Sequence, residues 1–514
     1  MAVSSSRAGS RRLARGIAVA IATLAVSLAA VLPAAGATGP RLIRDIDPGA
    51  GSSEAGSFSP IGNGIVLFGA FDAVHGWELW RSNGSKSGTR LVKDIAPGAA
   101  SSDPSMPPVR LGAYVYFAAS TPARGTELWR TDGSAAGTTR VKDINPGAGS
   151  SDPSNLTRLG ARIYFYADDG THGRELWRTD GTKAGTQLVE DINPTGDSEW
   201  CCLRTLGDTL IFAADDGTAG IEPWRSRGTA NSTFRLADIA AGPADSYGPS
   251  DAVILDGQLM FSARDGLWRT NGTKAGTVKL KDLVDAYYFT RVGSRAVFMG
   301  SLAAPRDREL WVTDGTSDGT QVLKDIHPTG SSQPRFWLGR AVNGYALFQA
   351  DDGVHGMELW RTDGTPGGTK RVKDINATAP GTDSSDGSGF SIGVGRWLYF
   401  VADDGVHGEE VWRSDGTTAG TTLVRDIRAG SASSEPTLDD DASIDGITYF
   451  VATRSTTGRE LWRTNGRPNG TALVKDIRLG TDSSDPGDLV AVGKRLIFAA
   501  DDGTRGREPW IFIP

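Results

Sequence analysis

The chain has 514 residues, with 54 Lys and Arg against 61 Asp and Glu, a formal net charge of −7. An acidic balance of this kind argues against nucleic acid or an anionic membrane surface as partner. Two cysteines in this length exclude a disulfide scaffold, and 67 Gly, 25 Pro and 14 Trp point to short strands and turns rather than long helices.

The N-terminus reads as an address. Arg7, Arg11, Arg12 and Arg15 precede an apolar run from Ile17 to Val31, and Ala35-Gly36-Ala37 follows. A basic region, a short apolar core and a small-x-small site predict an export signal over 1–37, cleaved after Ala37. Ser10-Arg11-Arg12-Leu13 leaves both general and twin-arginine export open. The run is short for a bilayer span, and no later segment is apolar enough to cross one. A secreted mature chain, 38–514, is therefore expected, with no membrane span and a net charge of 50 − 61 = −11 once four arginines are removed.

From residue 41 onward one stretch keeps returning: Glu127-Leu128-Trp129-Arg130-Thr131-Asp132-Gly133, then Glu175-Leu176-Trp177-Arg178-Thr179-Asp180-Gly181-Thr182, then Glu358-Leu359-Trp360-Arg361-Thr362-Asp363-Gly364-Thr365. Its tryptophans are Trp80, Trp129, Trp177, Trp224, Trp268, Trp311, Trp360, Trp412, Trp462 and Trp510, spaced 43 to 52 residues apart. A period in that range marks a repeat architecture. Within one unit, Asn155–Leu159, Arg162–Ala167, Glu175–Thr179 and Gln187–Ile192 read as strands, separated by Gly, Asp, Asn, Ser and Pro clusters. Four strands in about 48 residues is the content of a propeller blade, whereas the coils of a β-helix are much shorter.

The ends carry the closure. Arg41-Leu42-Ile43-Arg44-Asp45-Ile46-Asp47-Pro48-Gly49 matches Leu91-Val92-Lys93-Asp94-Ile95-Ala96-Pro97-Gly98, a fourth strand without its first three. The chain stops at Arg507–Phe512, a third strand without its fourth. The prediction is an all-β protein: a β-propeller of about ten four-stranded blades, its ring closed by the N-terminal strand completing the last blade. The alternative is two five-bladed propellers, with residues 279–283 closing the second. In either arrangement the Leu156–Leu159 type of segment lines the axis, the Tyr-Phe strand is second, the Trp strand third and the Asp-Ile strand outermost. The tryptophans are expected to pack between blades, and Glu175, Arg178 and Asp191 to form charge ladders between strands.

These quoted stretches resemble the repeat of the bacterial secreted family named after its ELWxxDGT signature, and the similarity covers residues 41–512. The resemblance implies an extracellular propeller and brings no particular reaction with it. The loop Thr179–Thr186 is also similar to the Asp-box hairpin of sialidase-like propellers. There an Asp side chain caps loop N–H groups while a glycine takes positive φ, an architectural role.

Propeller topology puts the loop between strands two and three on the same face as the connection from each outer strand to the next inner one. The first kind reads Asp168-Asp169-Gly170-Thr171-His172-Gly173 and recurs at Asp215-Asp216, Asp351-Asp352, Asp403-Asp404 and Asp501-Asp502. Such a rim of carboxylate and hydroxyl oxygens suits Ca²⁺, and Asp-Gly is equally the chemistry of tight turns. His75, His172, His355 and His407 share one loop position on different blades, too dispersed to converge on one zinc. The adjacent Cys201-Cys202 could close a vicinal disulfide or stay as two thiols.

The pattern breaks over one arc. Residues 264–268 read Arg-Asp-Gly-Leu-Trp without the Asp-Asp loop or the Glu, Val312 replaces the repeat's Arg, Arg227 replaces the hairpin Asp, and Cys201-Cys202 lies in the same region. Either that arc is adapted to a ligand or redundant repeats have drifted. The expected role is an extracellular binding or interaction module for a glycan or a protein. The alternatives are an extracellular propeller enzyme acting on glycans through the acidic rim, as hydrolase or lyase, and a structural envelope protein.

Overall fold

Runs such as Ile163-Tyr164-Phe165-Tyr166-Ala167 put β-branched and aromatic side chains on both faces, which suits a strand sandwiched between two neighbours. The structure is a computed structural model describing residues 39–249, 251–302, 307–336, 341–377, 391–438 and 442–514. The export signal predicted over 1–37 lies outside the described residues. The remainder forms ten four-stranded antiparallel sheets, the blades of a β-propeller. Blades 1 to 9 span 56–93, 109–140, 154–190, 199–235, 252–281, 285–324, 335–373, 391–423 and 443–475. Blade 10 combines 487–512 with the N-terminal strand Arg41–Leu42, in which Arg41 pairs with Ile511 and Leu42 with Trp510.

Among the described residues each junction between successive blades holds one apolar cluster. At the seam, Phe58, Val66, Phe68 and Trp80 of blade 1 pack against Val490, Ile497 and Ile511 of blade 10. Between blades 5 and 6, Leu255, Met260 and Leu267 meet Phe289, Phe298 and Trp311 in the same way. Blade 5 continues into blade 6 and blade 1 closes on blade 10, so the molecule is one ring and not two. Nine of the ten repeat tryptophans are buried in these junctions. Each removes roughly 150–250 Å² from water, an upper bound of about 4–6 kcal/mol.

Among the described residues the charge ladder expected of Glu175, Arg178 and Asp191 does not form. Glu175 is fully buried. Its Oε2 accepts from the Ile192 N–H at 3.0 Å and the Ser198 hydroxyl at 2.6 Å, and its Oε1 from the Asn193 N–H at 3.1 Å. The glutamate therefore ties its blade's outer strand, and the turn beyond it, to the Trp strand. Glu127, Glu410, Glu460 and Glu508 do the same work, Glu508 accepting from Ile46 and Ser53 across the ring seam. Arg178 likewise pairs with no acid; it donates across the junction to the Gly228 carbonyl in the hairpin of the next blade. Arg81, Arg130 and Arg361 repeat that clamp on Gly133, Gly181 and Gly416. Where the Trp strand offers Val312 or Ile511 instead, the first residue of strand two takes over: Arg295 donates to Gly364 and Arg495 to Asn83.

A second row of cations sits outside. Lys93 donates to the Thr138 carbonyl at 2.9 Å and lies 5.9 Å from the Trp129 ring centroid on the next blade. Lys142, Lys324, Lys373 and Lys475 occupy equivalent places over Trp177, Trp360, Trp412 and Trp510. In blades 3 and 4 the position is Glu190 and Ala237. The regular stapling lapses at the start of the arc where the repeat breaks.

Candidate functional site

The acidic rim is built from turns that close on themselves. Asp168 Oδ1 accepts the Gly170 N–H at 2.7 Å, while Asp169 Oδ1 accepts the Thr171 and His172 N–H groups, each at 3.0 Å. His172 Nδ1 stands 2.8 Å from Asp169 Oδ2. Asp215 and Asp216, Asp351 and Asp352, Asp403 and Asp404, and Asp501 and Asp502 repeat the arrangement. Burial pushes the second carboxyl of each pair up, but the converging donors outweigh it and hold Asp169, Asp216, Asp352, Asp404 and Asp502 below the usual carboxylate range. The hydrogen bonds to Asp169 and Asp404 raise the His172 and His407 imidazoles. These ten aspartates stand on five separate loops. Among the described residues no group of three or more His, Cys, Asp or Glu side chains gathers as a metal ligand set.

The acids with strongly raised values are elsewhere. Burial pushes Glu175, Glu410 and Glu508 up to about 7, against the pull of their N–H and hydroxyl donors. All three are sealed inside the blades, out of reach of any bound molecule, so this perturbation belongs to the scaffold.

The irregular arc is where the face changes shape. In blade 3 the loop between strands two and three leans on the incoming connection: a Cβ on Gly170 would stand 2.8 Å from Asn145 Oδ1. On blade 4 a Cβ on Gly217 would come within 2.6 Å of Asn193 Oδ1. In blade 5 that loop shrinks to residues 264–265, and the connection to blade 6 shrinks to 282–284. Two adjacent covers are thereby missing, and the incoming connection from blade 4 lies open. The result is a hollow of about 390 Å³ lined by Ile239, Ala240, Ala241, Ala244, Arg264 and Asp265.

Two side chains register the loss. Ile239 is half-buried, whereas its counterparts Ile95, Ile144, Ile192, Ile326 and Ile375 are buried. Trp268 is half-buried, the exception among the ten repeat tryptophans. Its indole N–H donates to Asp265 Oδ1 at 2.8 Å. Lys279 pairs with Asp265, lies 3.0 Å from Asp282 and stands 5.7 Å from the Trp268 ring centroid. The floor is held from below by Glu222, which accepts the Ile239 and Ala240 N–H groups at 2.8 and 2.9 Å. Gly266 replaces the buried glutamate in blade 5, and a Cβ there would meet the Lys281 carbonyl at 2.1 Å.

Cys201 and Cys202 lie on the inner strand Glu199–Leu206 of blade 4, with their sulfurs 2.11 Å apart. Cys202 has φ 71° and sits at a bulge between the pairs Cys201–Ala213 and Arg204–Ile211. The same bulge recurs in blades 1, 3, 6 and 10 at Ser57, Asn155, Tyr288 and Asp488, all with left-handed φ. The broken repeat at 264–268 pointed to the arc that holds the hollow. The floor residues Ala241 and Ala244 and the bulge residue Tyr288 carry no such signal, because they lie in segments whose length and composition vary from unit to unit.

No family model matches the sequence, and no curated protein matches it. Among solved structures the chain is similar to a puromycin hydrolase, at 14% identity and a TM-score of 0.31, covering 77% of this chain and 58% of that one. It is also similar to the tricorn protease, at 12% identity and 0.29, covering 87% and 46%. A third is the GH74 xyloglucanase from Xanthomonas campestris, at 13% and 0.25, covering 88% and 81%. The chain thus spans little more than half of the hydrolase and less than half of the tricorn protease, and likenesses this slight say nothing about what it binds.

Proposed function

We propose that the chain is exported, processed after Ala37 and acts outside the cell as a binding or interaction module, taking a glycan or protein ligand at the hollow in blades 4 and 5. The observation that supports this reading is the paired shortening at 264–265 and 282–284, beside which Ile239 and Trp268 are part-exposed where their counterparts in other blades are buried. A volume of about 390 Å³ falls within the roughly 300–1,000 Å³ of small-ligand sites. The floor is apolar, and Arg264 and Asp265 stand at its edge to orient what enters.

The test is binding of residues 38–514 to arrays of glycans and of cell-surface proteins, with Arg264→Ala as control, since the Arg264 side chain is exposed. At least one ligand retained by the wild type and weakened by that variant is the expected result. An absence of ligands on both arrays, or retention indifferent to the hollow, overturns the reading. Mass spectrometry of the protein recovered from culture medium is expected to give Thr38 as the first residue; an intact N-terminus, or none of the protein in the medium, overturns export and processing.

A further inference from the structure

Among the described residues the exposed aromatic rings are Phe71, on blade 1, and three tyrosines that gather on one arc. Among the described residues the strongly exposed tyrosines are Tyr247, Tyr287 and Tyr288, at 45%, 39% and 47%. Of the other tyrosines, Tyr116, Tyr164, Tyr166, Tyr399 and Tyr449 are buried and Tyr114 and Tyr345 half-buried. Tyr247 belongs to the same connection as Ala241 and Ala244, which line the hollow. Arg264, on the hollow's edge, reaches the Asp245 carbonyl of that connection. Asp251, at the connection's far end, accepts the Tyr288 N–H from the inner strand of blade 6. The connection between blades 4 and 5 thus carries the floor of the hollow, Tyr247 and, at Asp251, the contact to Tyr288, and the strand directions place all of them toward the same end of the ring.

Tyr288 is held in an unusual way. Its φ is 61°, a left-handed conformation that costs a bulky residue of order 1 kcal/mol or more. At the equivalent bulges the chain uses Ser57, Asn155, Cys202 and Asp488, all much smaller, and Asn and Asp are the side chains that best tolerate that region. At 47% exposure the ring keeps nearly half of its surface in water at a place where a smaller side chain would be less strained. Backbone strain of this kind concentrates at sites of function.

We infer that the hollow and the tyrosine-bearing wall beside it form a site for a neutral oligosaccharide chain, an inference that rests on the binding-module reading above. Three features select this class. Tyrosine presents a flat apolar face with a hydroxyl at its rim, which matches the C–H face and the flanking hydroxyls of a sugar ring. The charges around the site balance, with Arg264 and Lys279 standing against Asp265 and Asp282, so a ligand needs no net charge. The surrounding chain is acidic, at −7 overall, which repels polyanions. A protein partner, by contrast, needs about 800 Å² of matched surface on each side, and a hollow of about 390 Å³ with separated rings near it fits a slender chain better.

The decisive variant is Tyr288→Asn, because blade 3 carries Asn155 at the same bulge and the backbone is therefore already known to accept that side chain. Residues 38–514 are run in native gels containing hydroxyethyl cellulose, xylan, galactomannan or soluble starch, with heparin and polygalacturonate as anionic comparators. We expect retardation by at least one neutral polymer, an apparent dissociation constant raised at least tenfold by Tyr288→Asn and by Arg264→Ala, and melting temperatures of both variants at or above wild type. Retardation by the anionic polymers alone, or by neutral polymers with no effect of either variant, overturns the inference. If no polysaccharide binds while a surface protein on the array is lost on Arg264→Ala, the saccharide inference fails and the module stands. If neither array yields a ligand, both fail.

Discussion

Replacing Glu175 by Gln isolates the buried carboxylate that recurs through the ring. In the wild type three donors converge on Glu175, from Ile192, Asn193 and Ser198. Burial nevertheless raises its carboxyl from 4.5 to about 7. A group whose folded value is raised contributes stability that is fully present below its unfolded value, here about pH 4.5, and lost as the pH rises through about 7. At about 1.36 kcal/mol per unit, the shift from 4.5 to about 7 amounts to about 3 kcal/mol between those limits. A glutamine cannot titrate, so that pH dependence disappears from the variant at this site. At pH 5 the amide loses by turning an NH₂ toward a backbone donor, a cost of about 1–3 kcal/mol. At pH 8 the wild type has lost its own advantage and the two proteins converge. With an unfolding entropy of about 2.1 cal/mol/K per residue over roughly 477 residues, ΔS is about 1 kcal/mol/K and about 3 kcal/mol corresponds to about 3 °C. Differential scanning calorimetry of both proteins from pH 4.5 to 8.5 reads the difference directly. A gap of the same size at both ends of that range would refute the reasoning, since it would mean that Glu175 keeps one protonation state throughout.

Three further outcomes follow from the ring. Trp177→Ala removes a buried side chain packed against Tyr116, Leu128 and Ile144 and is expected to cost about 3–5 kcal/mol. Trp268→Ala removes a half-buried one and should cost less than half as much, so equal losses in urea titration would contradict the open rim at blade 5. Deleting residues 38–47 strips the fourth strand from blade 10 and two N–H donors from Glu508. The bare edge at Arg507–Phe512 then invites association, read as oligomers by gel filtration, and a monomer with unchanged melting would contradict closure by this strand. Both carboxylates of each Asp-Asp loop already accept backbone N–H groups, so the expected effect of EDTA is an unchanged melting temperature. A fall of several degrees would show that the rim recruits calcium.

Much of the architecture is legible in the residues alone. The Trp period, the Asp-Ile period and the half-units at the two ends specify ten blades, the strand order in each and the strand that closes the ring. These are local patterns, repeated, and a short window holds each of them. The choice between one ring and two is another matter, because it depends on whether Leu255 and Met260 face Phe289 and Phe298 or a free edge. Glu175 and Arg178 misled for a related reason. Recurring opposite charges on neighbouring strands look like surface pairs, yet the glutamate turns inward to backbone N–H groups and the arginine reaches a carbonyl of the next blade.

The site divides along the same line. Missing Asp-Asp and missing Glu mark blade 5 as different in the sequence itself. That the two shortened segments lie side by side, uncover Ile239 and Trp268, and border an exposed, left-handed Tyr288 is decided by the ring. Exposure is a relation between blades whose equivalent residues stand some 45 positions apart, and no stretch of sequence short enough to read as a motif contains both sides of it.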